Sequence, residues 1–425
     1  MEEVWHPSER WPEAERRAWQ DARLREVVAA AAPHAPALRE RLAAAGLEAL
    51  ALGLDALARL PVLPKDALPE AQRASPPFAG WLGVPLARLA RAYRSPGPIY
   101  DPEGPEADYW RFAPALFAAG FRAGDVVLNT LSYHLTPAGH MIDDALRAIG
   151  CPVVPAGPGN TDVQTQVLAD LGVTGFVGTP SFLLTLLEAA RAAGVRHGLR
   201  RAFVIAEMLP ESLRRRLEAD FGVVATQGYG TADLGSVAYE CGERTGMHVA
   251  RETVLEVIDP HTGQAVAAGE PGEAVVTALN PVYPLLRFGT GDLVAMAEGP
   301  CPCGRTAPRI ARVVGRIGEA VKVRGMFVHP AEVARIVAQF PGAGRAQVVV
   351  RRPADVDEMT VRVEWRPGAA APDLPALREA LVAGLRLRCE VEVLAAGALG
   401  DDAKKVVDER RWDEPRFVDT PRPPC

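Results

Sequence analysis

The chain has no run of about 18 consecutive apolar residues, so no membrane span is expected. It also lacks an apolar leader. The opening "MEEVWHPSERWPEAERRAW" is charged and amphipathic, which is not the pattern of a secretory signal. Positive charge is not in excess: 47 Lys and Arg face 53 Asp and Glu, for a net charge of −6. The basic footprint of a nucleic-acid binder is therefore missing. Cysteine is sparse, with Cys151, Cys241, Cys301, Cys303, Cys389 and Cys425 only. In a chain with no export signal such thiols are more often reduced, buried or metal-bound than paired. These absences point to a cytoplasmic protein without a membrane or nucleic-acid partner. What remains is ordinary globular material, 48% hydrophobic and 24% charged over 425 residues. That length suits about two to four domains and a sizeable core.

Residues 13–46 read as helices, and "LARLPVLPKDAL" as a proline-stiffened connector. From about 107, short apolar runs alternate with helical patterns. "DVVLNTL", "CPVVPAG", "VTGFVGT" and "RAFVIA" read as buried strands. "AGHMIDDALRAIG", "TDVQTQVLADLG" and "PSFLLTLLEAARAAG" read as helices, the second with Thr161 as its expected N-cap. Such alternation predicts parallel β–α units, with the ligand in the loops after the strands. After about 225 the texture becomes β-rich: "TVLEVID", "GEAVVTAL" and "PLLRFGTGDLVAM" are strand-like runs split by Gly and Pro turns. "VVGRIGEAVKVRG" (313–325) reads as a linker. Beyond it an α-β-β-α-β order predicts a small α+β domain, with Met359, Val361, Val363 and Trp365 on one strand face.

Four features carry possible chemistry. Cys241 and His248 flank "CGERTGMH", and Cys301 and Cys303 lie in "GPCPCGRT". Four such ligands suit a closed tetrahedral zinc site, although the spacing alone does not show that the two loops meet, and free cysteines with a surface histidine are the alternative. "GYGTADLG" (228–235) is a glycine-rich loop that lets backbone approach a ligand, with Asp233 near a metal-bound phosphate. "RFGTGDL" (287–293) reads as a strand running into a glycine turn. There Asp292 either accepts hydrogen bonds from ribose hydroxyls or caps the turn. "DDAKKVVDERR" (401–411) is a charge run, the usual mark of a solvated face.

In this order, "GNTDVQTQVLADLG", "TPSF", "IAE", "GYGTADLGSVAYEC", "GMHV", "LRFGTGDL", "CPCGRTAPRIARVVGR" and "VRGMFVHPAEV" resemble the phenylacetate–CoA ligase family of adenylate-forming enzymes. The resemblance covers nearly the whole chain. It implies an α/β fold: a large N-terminal AMP-binding domain over 1–316 and a small C-terminal α+β lid domain over 317–425, joined by a hinge. It also implies ATP with Mg²⁺ and CoA as reactants, an acyl-adenylate intermediate, and rotation of the small domain between the two half-reactions. Tyr229, Gly230 and Thr231 match the adenine-flanking motif, Asp292 the ribose-binding aspartate, and Arg316 the arginine before the hinge. Glu207 matches the acid of a "GAEP"-like segment. Cys241, His248, Cys301 and Cys303 fall where many relatives carry a zinc-like set, so structural Zn²⁺ is expected. "NTLSYHLTPAGHM" (129–141) matches the segment lining the acyl pocket. Tyr133 and His134 there favour an aryl or arylacetic acid, although a capping role for His134 is the simpler reading. A homodimer is expected from relatives.

The resemblance breaks in three places. The family's S-S-G-T-T-G-x-P phosphate loop falls on "SPGPIY", leaving only Ser95 and Gly97 in place. Proline has no N–H to donate, and Ile99 has no hydroxyl. The family's magnesium-binding glutamate is shortened to Asp233, and Ala232 lacks a hydroxyl. In the family's G-K-x-x-R-V-x-D, the lysine position holds Asp402, with Lys404 and Lys405 two and three residues on as replacement candidates. An ATP-dependent acid–thiol ligase with a relaxed phosphate loop is the first expectation. The alternatives are a silent or ATP-independent homologue that binds AMP, acyl-adenylate or CoA thioester, and an enzyme that transfers from a pre-activated acyl donor.

Overall fold

The computed structural model describes residues 3–49, 52–95, 97–317, 321–400 and 403–410. They form two compact units, Met1–Ala206 with Val223–Gly318, and Glu207–Gly222 with Glu319–Cys425.

In the larger unit, parallel strands lie in the order Val153–Pro155, Val127–Asn129, Gly175–Gly178, Arg201–Val204 and Val224–Thr231. The first four are the apolar runs expected as strands; Val224–Thr231 is not among them, and it takes up the start of the stretch read as a glycine-rich loop. Val127–Asn129 and Gly175–Gly178 are buried at every residue, as strands covered on both faces must be. The helix Ala138–Ile149 ends at Gly150, whose φ of +95° suits a residue without Cβ. The helix Thr161–Asp170 starts differently from expectation. Asn160, at φ +52°, takes the N-cap position without a side-chain cap bond, and Thr161 becomes the first helical residue. Its neighbour Pro180–Ala192 is capped by Thr179, whose hydroxyl accepts from Phe182 N.

The sheet changes character at Val224–Thr231. That strand runs parallel to Arg201–Val204 on one side and antiparallel to Gly235–Glu240 on the other. The antiparallel half continues through Met247–Val249, Arg309–Arg316, Phe288–Met296, Gly272–Ala278 and Thr253–Ile258. The N-terminal helices Glu13–Ala31 and Pro36–Ala44 cover this half, burying Leu24, Val28, Leu38 and Leu42 in one core with Val276, Leu285 and Phe288. The segment expected as a connector adds to the sheet instead. Leu63 N donates to Arg287 O at 2.8 Å, and Leu63–Pro64 pairs in parallel with Phe288 and Gly289. This anchors the turn of Lys65 against the strand Phe288–Met296.

In the second unit, the part of 313–325 read as linker ends in a hairpin, Val321–Val323 with Met326–Val328, turned by Arg324 and Gly325 in left-handed conformations. The helix Pro330–Val337, strands Ala343–Arg351 and Glu358–Trp365, helix Leu374–Leu385 and strand Glu390–Ala395 follow. Met359, Val361 and Val363 enter the core as the alternation predicts. The charge run at 401–411, expected as a solvated face, contributes the strand Val406–Asp408, parallel to Val348–Val350. Alternation over only three residues was too short a signal, and the partner strand supplied the order.

Gly235 closes the hairpin at the sheet's change of direction. Its φ is +76°, and an added Cβ would lie 2.5 Å from Trp110 O. Gly235→Ala is expected to destabilise the chain by at least about 2 kcal/mol, since backbone strain and overpacking act together. Urea unfolding measures this, and an unchanged midpoint would contradict it.

Candidate active site and metal centre

Val224–Thr231 is where the sheet passes from parallel to antiparallel pairing, and the carboxyl ends of the parallel strands are the usual ligand position of such sheets. Tyr229 is buried there, and its phenol donates to Asp292 Oδ2 at 2.9 Å and lies 3.2 Å from Thr290 Oγ1. Burial, then the nearby Asp292, holds this phenol far above its ordinary pKa, so it remains a donor. Asp292 does not end its strand at a glycine turn. The strand Phe288–Met296 runs through it, and register sets Asp292 opposite Arg316. Arg316 pairs with Asp292 Oδ1 at 3.1 Å and donates to Thr290 O at 3.0 Å. Asp292 thus has both oxygens oriented while keeping lone pairs for further donors. Gly230 has no room for a side chain: a Cβ would meet Gly235 O at 2.6 Å. Thr231 Oγ1 accepts from Leu234 N and shapes the turn that leads to Asp233.

The stretch matched to a phosphate loop is a tight hairpin, Arg91–Ser95 paired with Ile99–Glu103. Ser95 is buried, and its hydroxyl donates to Ile99 O across the turn. Gly97, at φ +119°, faces open space. Pro96 lies outside the described residues. Tyr100 has both backbone groups engaged by the buried Gln72 amide: its N–H donates to Gln72 Oε1 at 2.7 Å, and its carbonyl accepts from Gln72 Nε2 at 2.9 Å. The hairpin therefore offers few backbone donors to an anion. Beside it, Lys65 pairs with Asp233 Oδ2 at 2.5 Å, with the aspartate side chain fully buried. Asp101, also fully buried, has neither oxygen hydrogen-bonded. Burial and the neighbouring Asp233 drive its pKa well up, although the Ser95 hydroxyl and Lys65 act in the opposite sense.

The four metal-ligand candidates do meet. Cys241 follows the strand Gly235–Glu240, His248 sits on Met247–Val249 opposite Tyr239, and Cys301 and Cys303 come from the loop before Arg309–Arg316. All four are buried, and their ligand atoms lie within 4.8 Å of one another. Cys241 Sγ and Cys301 Sγ are 3.6 Å apart, and Cys303 Sγ lies 3.4 Å from His248 Nε2. Tetrahedral zinc with bonds of about 2.3 Å to sulfur and 2.0 Å to nitrogen spaces such pairs by about 3.8 and 3.5 Å. The donor set and its spacing fit zinc. Burial, then Arg305 and Arg309, lowers His248 to about 4, which keeps the imidazole in its neutral, ligating form. Burial pushes the Cys241 thiol up.

Of the acyl-pocket candidates, Tyr133 is half-buried, and its hydroxyl accepts from Asn129 Nδ2 at 2.8 Å. His134 is exposed and donates its backbone N–H to Ser132 Oγ. His140 instead is the histidine among aromatic rings, 5.1 Å from Tyr133 and 5.8 Å from Tyr93 between centroids. Glu207, Lys404 and Lys405 belong to the second unit. The side chains of Lys404 and Lys405 are exposed, and their carbonyls accept from Gln347 Nε2 and Val348 N. Asp402 lies outside the described residues.

Sequence reasoning missed Lys65, Gln72 and Asp101. Lys65 stands in a quoted segment, but its partner is 168 residues away, and no local spacing reports that pairing. Lys65→Met is expected to cost about 3–5 kcal/mol, because it strands a buried carboxylate. Asp233→Asn should cost less, since it leaves Lys65 to pair with Asp101. Denaturant unfolding of both variants gives the comparison, and equal costs would mean that Asp101 does not take over as partner.

Residues 107–280 match the AMP-binding enzyme family, and residues 325–410 match the AMP-binding enzyme C-terminal domain. Phenylacetate-coenzyme A ligase of Thermus thermophilus is 33% identical over 370 residues, covering 83% of this chain and 82% of that protein. The enzyme of the same name from Aromatoleum evansii is 30% identical and covers 95% and 97%. Among solved structures, 2-hydroxyisobutyryl-CoA ligase in complex with 2-HIB-AMP and CoA superposes with a TM-score of 0.88 at 26% identity, covering 96% of this chain and 92% of that one. On this similarity the chain belongs to the phenylacetate–CoA ligase family of AMP-binding enzymes.

Proposed function

We propose that this chain joins a small carboxylic acid to CoA through an acyl-adenylate. A carboxylate oxygen attacks the α-phosphorus of ATP, the bond to the bridging oxygen breaks, and pyrophosphate leaves. The CoA thiolate then attacks the acyl carbon, and AMP departs with the electrons of the broken C–O bond. The observation that carries this reading is the Tyr229–Asp292–Arg316 constellation. It presents an oriented carboxylate, of the kind that accepts ribose hydroxyls, beside a glycine strand too crowded for side chains. Magnesium would enter with the nucleotide, and Lys404 or Lys405 would supply the positive charge for the forming adenylate. The rings of Tyr133, His140 and Tyr93 favour an aryl or arylacetic acid. Among the described residues, no helix is long and apolar enough to cross a membrane. Five unpaired, buried cysteines suit the reducing cytoplasm.

One observation favours a second reading. Gln72 and Lys65 engage groups that a phosphate or its metal would need, so the chain would bind AMP or an acyl-adenylate without using ATP. Calorimetric titration with Mg–ATP and with AMP separates the two. Binding of both, with pyrophosphate released on adding aryl acids, supports the ligase. Binding of AMP alone supports the second reading, and binding of neither overturns both. Asp292→Asn should weaken AMP by about tenfold or more, the usual cost of losing charge-assisted hydrogen bonds.

The Cys241, His248, Cys301 and Cys303 set would hold a structural zinc, tying the two β-loops together. Removing it with a chelator should lower the melting temperature, and re-addition of zinc should restore it. Unchanged melting after verified removal would refute this role.

A further inference from the structure

The N-terminal segment reaches the metal centre from outside. Glu9 lies in the short helix Pro7–Arg10, where its Oε1 accepts from His6 N at 2.9 Å. Its Oε2 is aimed away from that helix and accepts from Arg305 Nε at 2.6 Å and from the Tyr239 hydroxyl at 3.2 Å. The side chains of this ion pair are 7% and 1% exposed. Both partners adjoin ligands. Arg305 donates its backbone N–H to Cys303 Sγ at 3.4 Å, and Tyr239 is the strand partner of His248, with their rings 6.4 Å apart. Glu9, Tyr239, His248 and Arg305 line one small cavity. The backbone follows the same route: Thr306 N donates to Glu9 O at 3.1 Å, and Arg305 also reaches Glu3 O at 3.1 Å. Arg16 reaches Thr306 O at 3.0 Å.

We propose that Glu9 is a positioning residue of the metal centre, so that metal retention by the four ligands and docking of residues 3–11 on the cysteine loop are coupled. The physical basis is a shared loop. A metal bound to Cys301 and Cys303 fixes the backbone that presents Arg305 and Thr306, and those residues hold the N-terminal segment. In the other direction, Glu9 fixes the guanidinium and the phenol that border Cys303 and His248. Partners outside the ligands commonly set metal retention in this way. The ion pair is dry, so losing Glu9 leaves Arg305 a buried charge without its carboxylate. The proposal rests on the metal reading and not on the ligase reading.

The test uses the full chain loaded with zinc, its stoichiometry checked first. Zinc transfer to a chromophoric chelator should be about tenfold or more faster for Glu9→Ala than for the wild type. Glu9→Gln keeps acceptors for Tyr239 and Arg305 and should recover most of the retention, which a general loss of packing would not produce. Independently, stripping zinc from the wild type should raise hydrogen exchange in residues 3–11. That arm decides the matter alone if the alanine variant does not fold. Failure to take up zinc would overturn the metal reading and the coupling together. Zinc bound normally, with unchanged release from Glu9→Ala or unchanged exchange on stripping, would overturn the coupling alone.

Discussion

The strand Val224–Thr231 is bonded in parallel on one edge and antiparallel on the other, and most of the larger unit depends on that double pairing. It is possible because Gly230 and Gly235 let the backbones turn where any Cβ would strike a carbonyl oxygen. Tyr229 is thereby placed at the carboxyl edge of the parallel strands, while the next two strands of the sheet carry Cys241 and His248, His248 lying opposite Tyr239 and Tyr239 opposite Gly228. The Tyr229 cluster and the Cys/His cluster depend on the same register. A change that slipped it by one residue would turn every side chain to the opposite face.

Within the candidate site, two ends differ in chemistry. The Tyr229 end is polar and mutually oriented: a phenol held protonated by burial, a carboxylate, and an arginine opposite it in the ladder. The end at the hairpin of Arg91–Ser95 and Ile99–Glu103 is closed on itself. Its hairpin backbone is engaged by Gln72, its buried aspartate by Lys65, and a second buried aspartate stands beside them. Buried charges hold such arrangements only when each has a partner or gives up its charge. The raised Asp101 and the Lys65–Asp233 pair follow that rule.

A zinc ion on these four residues would replace part of a hydrophobic core with ligand bonds. Here the loop of Cys301 and Cys303 has little apolar material of its own, and the three cysteines form a separate small buried cluster. The N-terminal residues Glu9 and Arg16 bond to Arg305 and Thr306, just beyond that loop's cysteines. The first residues of the chain and residues around 305 therefore stabilise each other across nearly the full sequence.

The sequence by itself determined the elements whose signal is local. Apolar runs predicted four of the five parallel strands, periodicity the helices Ala138–Ile149 and Pro180–Ala192, and alternation the face of Met359, Val361 and Val363. Motifs singled out Tyr229, Asp292 and Arg316, and Cys241, His248, Cys301 and Cys303, each in a short segment whose residue types are themselves the signal, and the structure brings each set together. Tertiary structure alone decided what depends on a distant partner. Leu63–Pro64 joins a sheet because Arg287 and Phe288 lie alongside, and Val406–Asp408 does so because Val348–Val350 does. Lys65 meets Asp233, Asp101 is buried among charges, and Glu9 reaches Arg305. Spacing along a chain reports which residues share a strand or helix face. It holds no record of which surfaces folding brings together, and there burial and charge pairing set the chemistry.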